Sequence, residues 1–116
     1  FLNATAVAEA VAEDKHVLLL CAGREGRFAL EDALCAGAIA RRIRAKQGAR
    51  ALRPNDAART AMLLARRYEG DLLKALRRTA AGRRLTELGR IADIEHCARA
   101  DLHDRVPNVR ERRVTL

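Results

Sequence analysis

Residues 20–32 of the chain read Leu20-Cys21-Ala22-Gly23-Arg24-Glu25-Gly26-Arg27-Phe28-Ala29-Leu30-Glu31-Asp32. These are the residue types that handle anions. Gly23 and Gly26 permit positive φ or a close backbone approach to a ligand. Arg24 and Arg27 can clamp a phosphate or sulfonate through their guanidinium forks. A helix beginning near Leu30 would add unpaired backbone N–H groups. Glu25, Glu31 and Asp32 could instead hold Mg²⁺, a hard cation that takes carboxylates and water. The same residues also fit a plainer role, a tight strand-to-helix turn with solvated charges.

A second pattern lies inside the first. Five residues separate Cys21 from Arg27, after an apolar run and before a helix. Cysteine-dependent phosphatases are arranged this way: a thiolate attacks phosphorus and the arginine holds the equatorial oxygens. A nearby cation and a helix N-terminus would lower the thiol pKa. Phe28 stands where those enzymes have Ser or Thr, and no aspartic general acid can be assigned. The alternative for Cys21 is a buried packing residue. Further along, Asp93, Glu95, His96, Cys97, Asp101, His103 and Asp104 cluster without a recognised metal spacing, which reads as a solvated stretch. Cys35, beside Gly37 on an apolar helix face, reads as core. Asn3 could meet a ligand or cap a helix.

Elements of alternating type must position these residues. Asn3 or Thr5 caps a helix running to about Asp14, with Val7, Ala8 and Val11 on one face. His16-Val17-Leu18-Leu19-Leu20-Cys21 is a nearly continuous apolar run, expected to be a strand buried on both faces of a sheet. A helix over Leu30 to Lys46 carries acids in its first turn and bases in its last turns, complementing its dipole, and Gly48 ends it. Asn55 caps the next helix, which runs to about Tyr68 with Ala57, Ala61, Leu64 and Ala65 on one face. Gly70-Asp71 breaks it before Leu72. Short helices are expected from Arg84 to Leu88, between Gly82 and Gly89, and from Ile91 to Ala98. Val106–Val109 and Arg113–Leu116 read as short strands, with Pro107 holding the first to an edge or a strand end. The rhythm is α/β with few strands. So few strands cannot make an independent sheet, which points to a partner segment.

The chain has 116 residues, one domain's worth, and 49% are hydrophobic. Aromatics are 3%, so the core rests on Ala, Leu, Val and Ile. The formal charge is +8. A small basic helical module for nucleic acid is one reading of that charge. The arginines, however, are interleaved with Ala and Leu, the basic residues read as mixed with acids throughout, and no aromatic stacking set accompanies them. Nucleic acid is therefore not the expected partner. Three cysteines without a paired short spacing fit a reducing compartment such as the cytoplasm. No apolar run approaches the roughly 20 residues of a membrane helix. The sequence starts at Phe1 rather than Met, and we expect a fragment or a processed chain.

Several segments, in order, resemble the 2-phosphosulfolactate phosphatase family of coenzyme M biosynthesis. They are Phe1-Leu2-Asn3-Ala4; Cys21-Ala22-Gly23 with Glu25-Gly26, Phe28, Leu30-Glu31-Asp32 and Cys35-Ala36-Gly37; Asn55-Asp56-Ala57-Ala58; Gly82-Arg83-Arg84-Leu85 with Leu88-Gly89; and Asp93-Ile94-Glu95 with Cys97-Ala98. The resemblance implies a Mg²⁺-dependent hydrolysis of 2-phospho-3-sulfolactate, or a related phosphorylated 2-hydroxy acid, to 3-sulfolactate and phosphate. It also implies a fold class: the helix-rich C-terminal half of a three-layer α/β/α domain, residues 1–116 being that portion or a domain by themselves. The expected partners are a small anionic phosphorylated substrate and either an N-terminal half or a second copy. A non-catalytic remnant or partner half is the alternative to an enzyme. Chemistry then suggests the roles. Asp32, Glu31 and Cys21 are the catalytic candidates, and Asn3, Gly23, Arg24, Gly26 and Arg27 the substrate-binding ones. Glu25, Glu31 and Asp32 are the metal candidates.

Overall fold

A computed structural model describes residues 1–48 and 52–116. Among the described residues six helices and one hairpin follow in chain order: α1 (Ala4–Ala10), α2 (Leu30–Gln47), α3 (Asp56–Arg67), α4 (Leu72–Arg78), α5 (Ala80–Glu87), α6 (Ile91–Cys97), β1 (Asn108–Arg110) and β2 (Arg113–Thr115). The chain is thus helix-rich with a small two-stranded sheet, compatible with an α/β fold. No described helix is long and apolar enough to cross a membrane.

The long helix α2 organises the rest. Its buried residues Ala33, Leu34, Gly37, Ala40 and Ile43 recur at three- and four-residue intervals, one stripe of a helix. Against that stripe pack α1 and, most extensively, α3. Ala4 and Ala8 are buried from α1 and Met62 from α3. Gly37 is required by this packing, because a Cβ there would run into the Ala61 carbonyl. The small residues thus let two backbones approach closely, where larger side chains would hold them apart. A second cluster joins α4, α5 and α6 around Ala75, Leu76 and Ile94.

The caps explain the boundaries. Asn55 accepts from the Ala58 amide and starts α3, as its sequence predicts. The Asp71 carboxylate caps α4 and the Thr79 hydroxyl caps α5. Thr79 is buried; its Oγ accepts from the Gly82 amide and donates to the Leu76 carbonyl, both at 2.9 Å. That cap moves the start of α5 to Ala80, so Gly82 lies inside the helix and is not its upstream breaker. There Gly82 sits against the Leu76 carbonyl with no room for a Cβ. Helix α1 stops at Ala10, four residues short of the expected end, and continues as turns. Asn3 does not cap it with its side chain; its Nδ2 donates to the Arg105 carbonyl instead, at 3.0 Å. Ala57 is exposed and Met62 takes the buried place on α3.

The expected strand at His16–Cys21 is the main correction. The segment has no strand assignment, and among the described residues its backbone makes no hydrogen bond to another segment. Leu18 and Leu20 are 86% and 88% exposed, while Val17 and Leu19 are half-buried. The period-two pattern of a strand is therefore present, but one face and both backbone edges lack partners. A strand is defined by its neighbour, and among the described residues this segment has none. At the other end, β1 and β2 pair antiparallel with Val109 opposite Val114, closed by Glu111 and Arg112, both at positive φ. Pro107 directly precedes β1, as expected for a strand end.

Candidate functional site

The turn after Cys21 is fixed by its backbone. The Arg24 amide donates to the Arg27 carbonyl at 3.0 Å, and the Arg27 amide donates back at 2.9 Å. Glu25 and Gly26, the two residues between, have φ of 52° and 72°. This is the two-residue loop of a type I′ hairpin. Gly23 precedes it at φ 70°, and a Cβ there would lie 2.6 Å from the Arg27 carbonyl. Both glycines thus adopt the positive φ that their placement predicts.

Asp32 locks this turn to α2. Its Oδ2 accepts from the Gly23 amide at 2.8 Å. The first turn of α2 is otherwise uncapped, because Ala29 at the N-cap has no side-chain acceptor. Among the described residues the amides of its first turn meet no acceptor, and they stand at the positive end of the helix dipole. Arg24 and Arg27 stand at the two corners of the turn and both are exposed. Phe28, 77% exposed, lies between the turn and the helix. Open amides, two guanidinium groups and a glycine backbone on one short segment can hold a phosphate or a sulfonate.

Cys21 is exposed in this chain. Slight burial of its sulfur pushes the thiol pKa up, and Asp32 and Cys35 raise it further. The thiol form is favoured, opposite to what a nucleophilic cysteine needs. Glu25 sits at the tip of the turn, its side chain 80% exposed and 3.9 Å from Arg24. Glu31 and Asp32 are adjacent at the helix start and half-buried. Among the described residues no three His, Cys, Asp or Glu side chains converge as a metal cluster, so Glu25, Glu31 and Asp32 do not form a three-carboxylate site. A water-rich Mg²⁺ site using one or two carboxylates remains within the chemistry of Glu31 and Asp32. Asn3 is held by Arg105, and among the described residues no hydrogen bond ties it to the turn. Cys35 is half-buried, with its sulfur 3.4 Å from the terminal amine of Phe1.

The acidic stretch near the C-terminus contains one residue that sequence reasoning misplaced. Asp101, at φ 55°, accepts from the Thr5 amide at 2.7 Å and from Arg42 at 2.9 Å. Burial alone would raise its pKa, but the Thr5 hydrogen bonds and the Arg42 guanidinium outweigh that and hold it below the usual carboxylate range. Arg42 also donates to the Thr5 hydroxyl. This network ties α1, α2 and the C-terminal tail together. No sequence spacing announces it, because its members are 37 to 96 residues apart.

Comparison with known proteins adds the family. The profile of 2-phosphosulpholactate phosphatase matches residues 1–112. A Synechocystis sp. protein named "Probable 2-phosphosulfolactate phosphatase" is 41% identical over 95 residues, 82% of this chain and 39% of its own length. Proteins of the same name from Thermotoga petrophila and Thermosynechococcus vestitus are 35% and 38% identical. They are matched over 94% and 91% of this chain and 45% of their own lengths. The chain thus spans less than half the length of these curated relatives. With the match running from its first residue through the turn, the α2 start and the tail, the chain belongs to the 2-phosphosulpholactate phosphatase family.

Proposed function

We propose that the chain is the C-terminal portion of a phosphoric monoester hydrolase. The substrate is 2-phosphosulfolactate or a related phosphorylated 2-hydroxy acid. The anion is held at the junction of the Gly23–Arg27 turn and the start of α2. One observation carries this reading: the uncapped N-terminus of α2 lies beside a turn that Asp32 anchors and that presents Arg24 and Arg27. Phosphoryl transfer asks a protein chiefly for positioning and charge neutralisation, which such a junction supplies. Arg24, Arg27 and the open amides hold phosphate or sulfonate oxygens. Glu31 and the free oxygen of Asp32 orient the attacking water. Those same two carboxylates would hold Mg²⁺, which when bound neutralises phosphate charge. Cys21 remains a thiol beside the site.

The turn also needs a rigid base. We place the Val17–Cys21 segment in the sheet of a three-layer α/β/α domain, paired by strands outside this chain. Its alternating exposure and unpaired backbone support that placement, as does the greater length of the relatives. The three unpaired cysteines favour a cytoplasmic setting.

The test is phosphate release from 2-phosphosulfolactate by the intact native protein, with and without Mg²⁺. We expect Mg²⁺-dependent turnover that falls by about a hundredfold in Asp32→Asn. Loss of turnover in Cys21→Ser together with full activity in a metal chelator would overturn the assignment in favour of a phosphocysteine route.

A further inference from the structure

The opposite end of α2 carries a different array. From Ala33 to Asn55 the sequence holds six Lys or Arg residues and no Asp or Glu. This is a block of basic residues without acids, which the reading of the arginines as evenly mixed passes over. Folding then brings in more. Arg41 and Arg44 from α2 and Arg59 and Arg66 from α3 line one open cleft of about 650 Å³. Arg41 pairs with Glu69 at 2.9 Å, and the Arg59 Nε donates to the Pro54 carbonyl at 3.1 Å. Among the described residues Arg44 and Arg66 meet no carboxylate.

Like charges gathered on one cleft repel one another. The dipole of α2 accounts for a cation in its last turn, such as Arg44. The dipole of α3 likewise accounts for Arg66 in its last turn, but neither dipole accounts for Arg59, near the start of α3. The remaining wall is apolar, with Ala45, Met62 and Leu63, and Leu63 is 66% exposed. A cleft of this size lies within the range that takes a small organic ligand. Arginine forks match phosphate oxygens, and their planar groups stack on flat rings.

We infer that this cleft is a second anion site, which takes a small organic polyphosphate. Its phosphates lie on Arg44, Arg59 and Arg66 and its apolar or planar body lies against Met62 and Leu63. The cleft lies about 20 Å along the helix axis from the turn, at 1.5 Å per residue. The inference does not depend on the phosphatase reading, since neither the ligand nor the residues are shared.

The experiment is a titration of the intact native protein with ATP and with inorganic tripolyphosphate, read by calorimetry and by backbone amide shifts. The expected result is saturable ATP binding with shifts at Ala45 and Leu63, and weaker binding of tripolyphosphate. Arg44→Glu/Arg66→Glu should weaken ATP binding by more than about tenfold, or about 1.4 kcal/mol. Arg44→Gln/Arg66→Gln should weaken it less and guards against misfolding in the charge-reversed variant. Absence of saturable binding at millimolar ATP would overturn the site. So would shifts confined to Gly23–Asp32, or an affinity that neither double variant changes. Equal affinity for the two probes would overturn the role of the apolar wall.

Discussion

The two ends of α2 handle charge in opposite ways. At the N-terminal end, acids and bases are mixed within ten residues, and a backbone-built turn and one carboxylate–amide bond set the geometry. At the C-terminal end four arginines line one cleft, of which Arg41 alone meets a carboxylate among the described residues, and side chains from two helices set the geometry. The first arrangement is rigid and local. The second exists only because α2 and α3 pack closely, at the contact that Gly37 makes possible. One helix thus offers one end fixed by sequence-adjacent residues and another assembled by tertiary packing.

That contrast can be broken at the helix pairing first. Gly37→Ala pushes a methyl group into the Ala61 carbonyl, and we expect a loss of about 3 kcal/mol in stability. Thermal or urea unfolding would measure it. The cleft end should be disturbed most, while the Gly23–Asp32 bond survives in whatever fraction stays folded. Gly23→Ala attacks the other end. The added Cβ meets the Arg27 carbonyl at a positive φ, for a cost of about 1–2 kcal/mol. The amide shifts of Arg24–Arg27 should move while those of Met62 and Leu63 stay still.

A finer test concerns Asp32. Its negative charge helps hold the Cys21 pKa up. Asp32→Asn should therefore lower that pKa, leaving more thiolate at a given pH and faster alkylation. A pH profile of alkylation at Cys21 that moves upward, or does not move, would contradict the geometry. The smallest effect belongs to Asp101. Its carboxyl is held below the usual range in the folded chain. The stability it contributes is complete above its unfolded pKa, about 3.9, and is lost as pH falls through the lower folded value. Asp101→Asn should flatten that acid arm and leave the neutral-pH slope unchanged. Acid titration of unfolding free energy would check it.

These elements also show what sequence makes legible. The turn is local: two glycines, a strand-like approach and a helix start sit within a dozen residues, and the positive φ at both glycines follows. The Asn55 cap and the Pro107 strand end are local too. The strand at His16–Cys21 is half legible. Its period-two pattern is present, but hydrogen bonding belongs to pairs of segments, and among the described residues it meets no partner. The bond from the Gly23 amide to Asp32 was hidden, because a carboxylate placed to bind metal and one placed to bind a glycine amide look alike in sequence. The Thr79 cap and the Asp101 network required knowledge of which distant backbones meet. The acid-free stretch in α2 was overlooked among the mixed charges, and the α3 half of the arginine cleft was not legible, since the apolar face of α3 does not say which helix covers it.

The central claim is that the turn and the start of α2 hold the reacting phosphate. Steady-state phosphate release from 2-phosphosulfolactate by the intact native protein tests it most directly, comparing the unaltered chain with Arg24→Ala/Arg27→Ala. The account predicts that kcat/KM falls by about a hundredfold or more, with an unchanged unfolding midpoint. A kcat/KM within about threefold of the unaltered protein would be worth less than 1 kcal/mol, and would place the phosphate elsewhere.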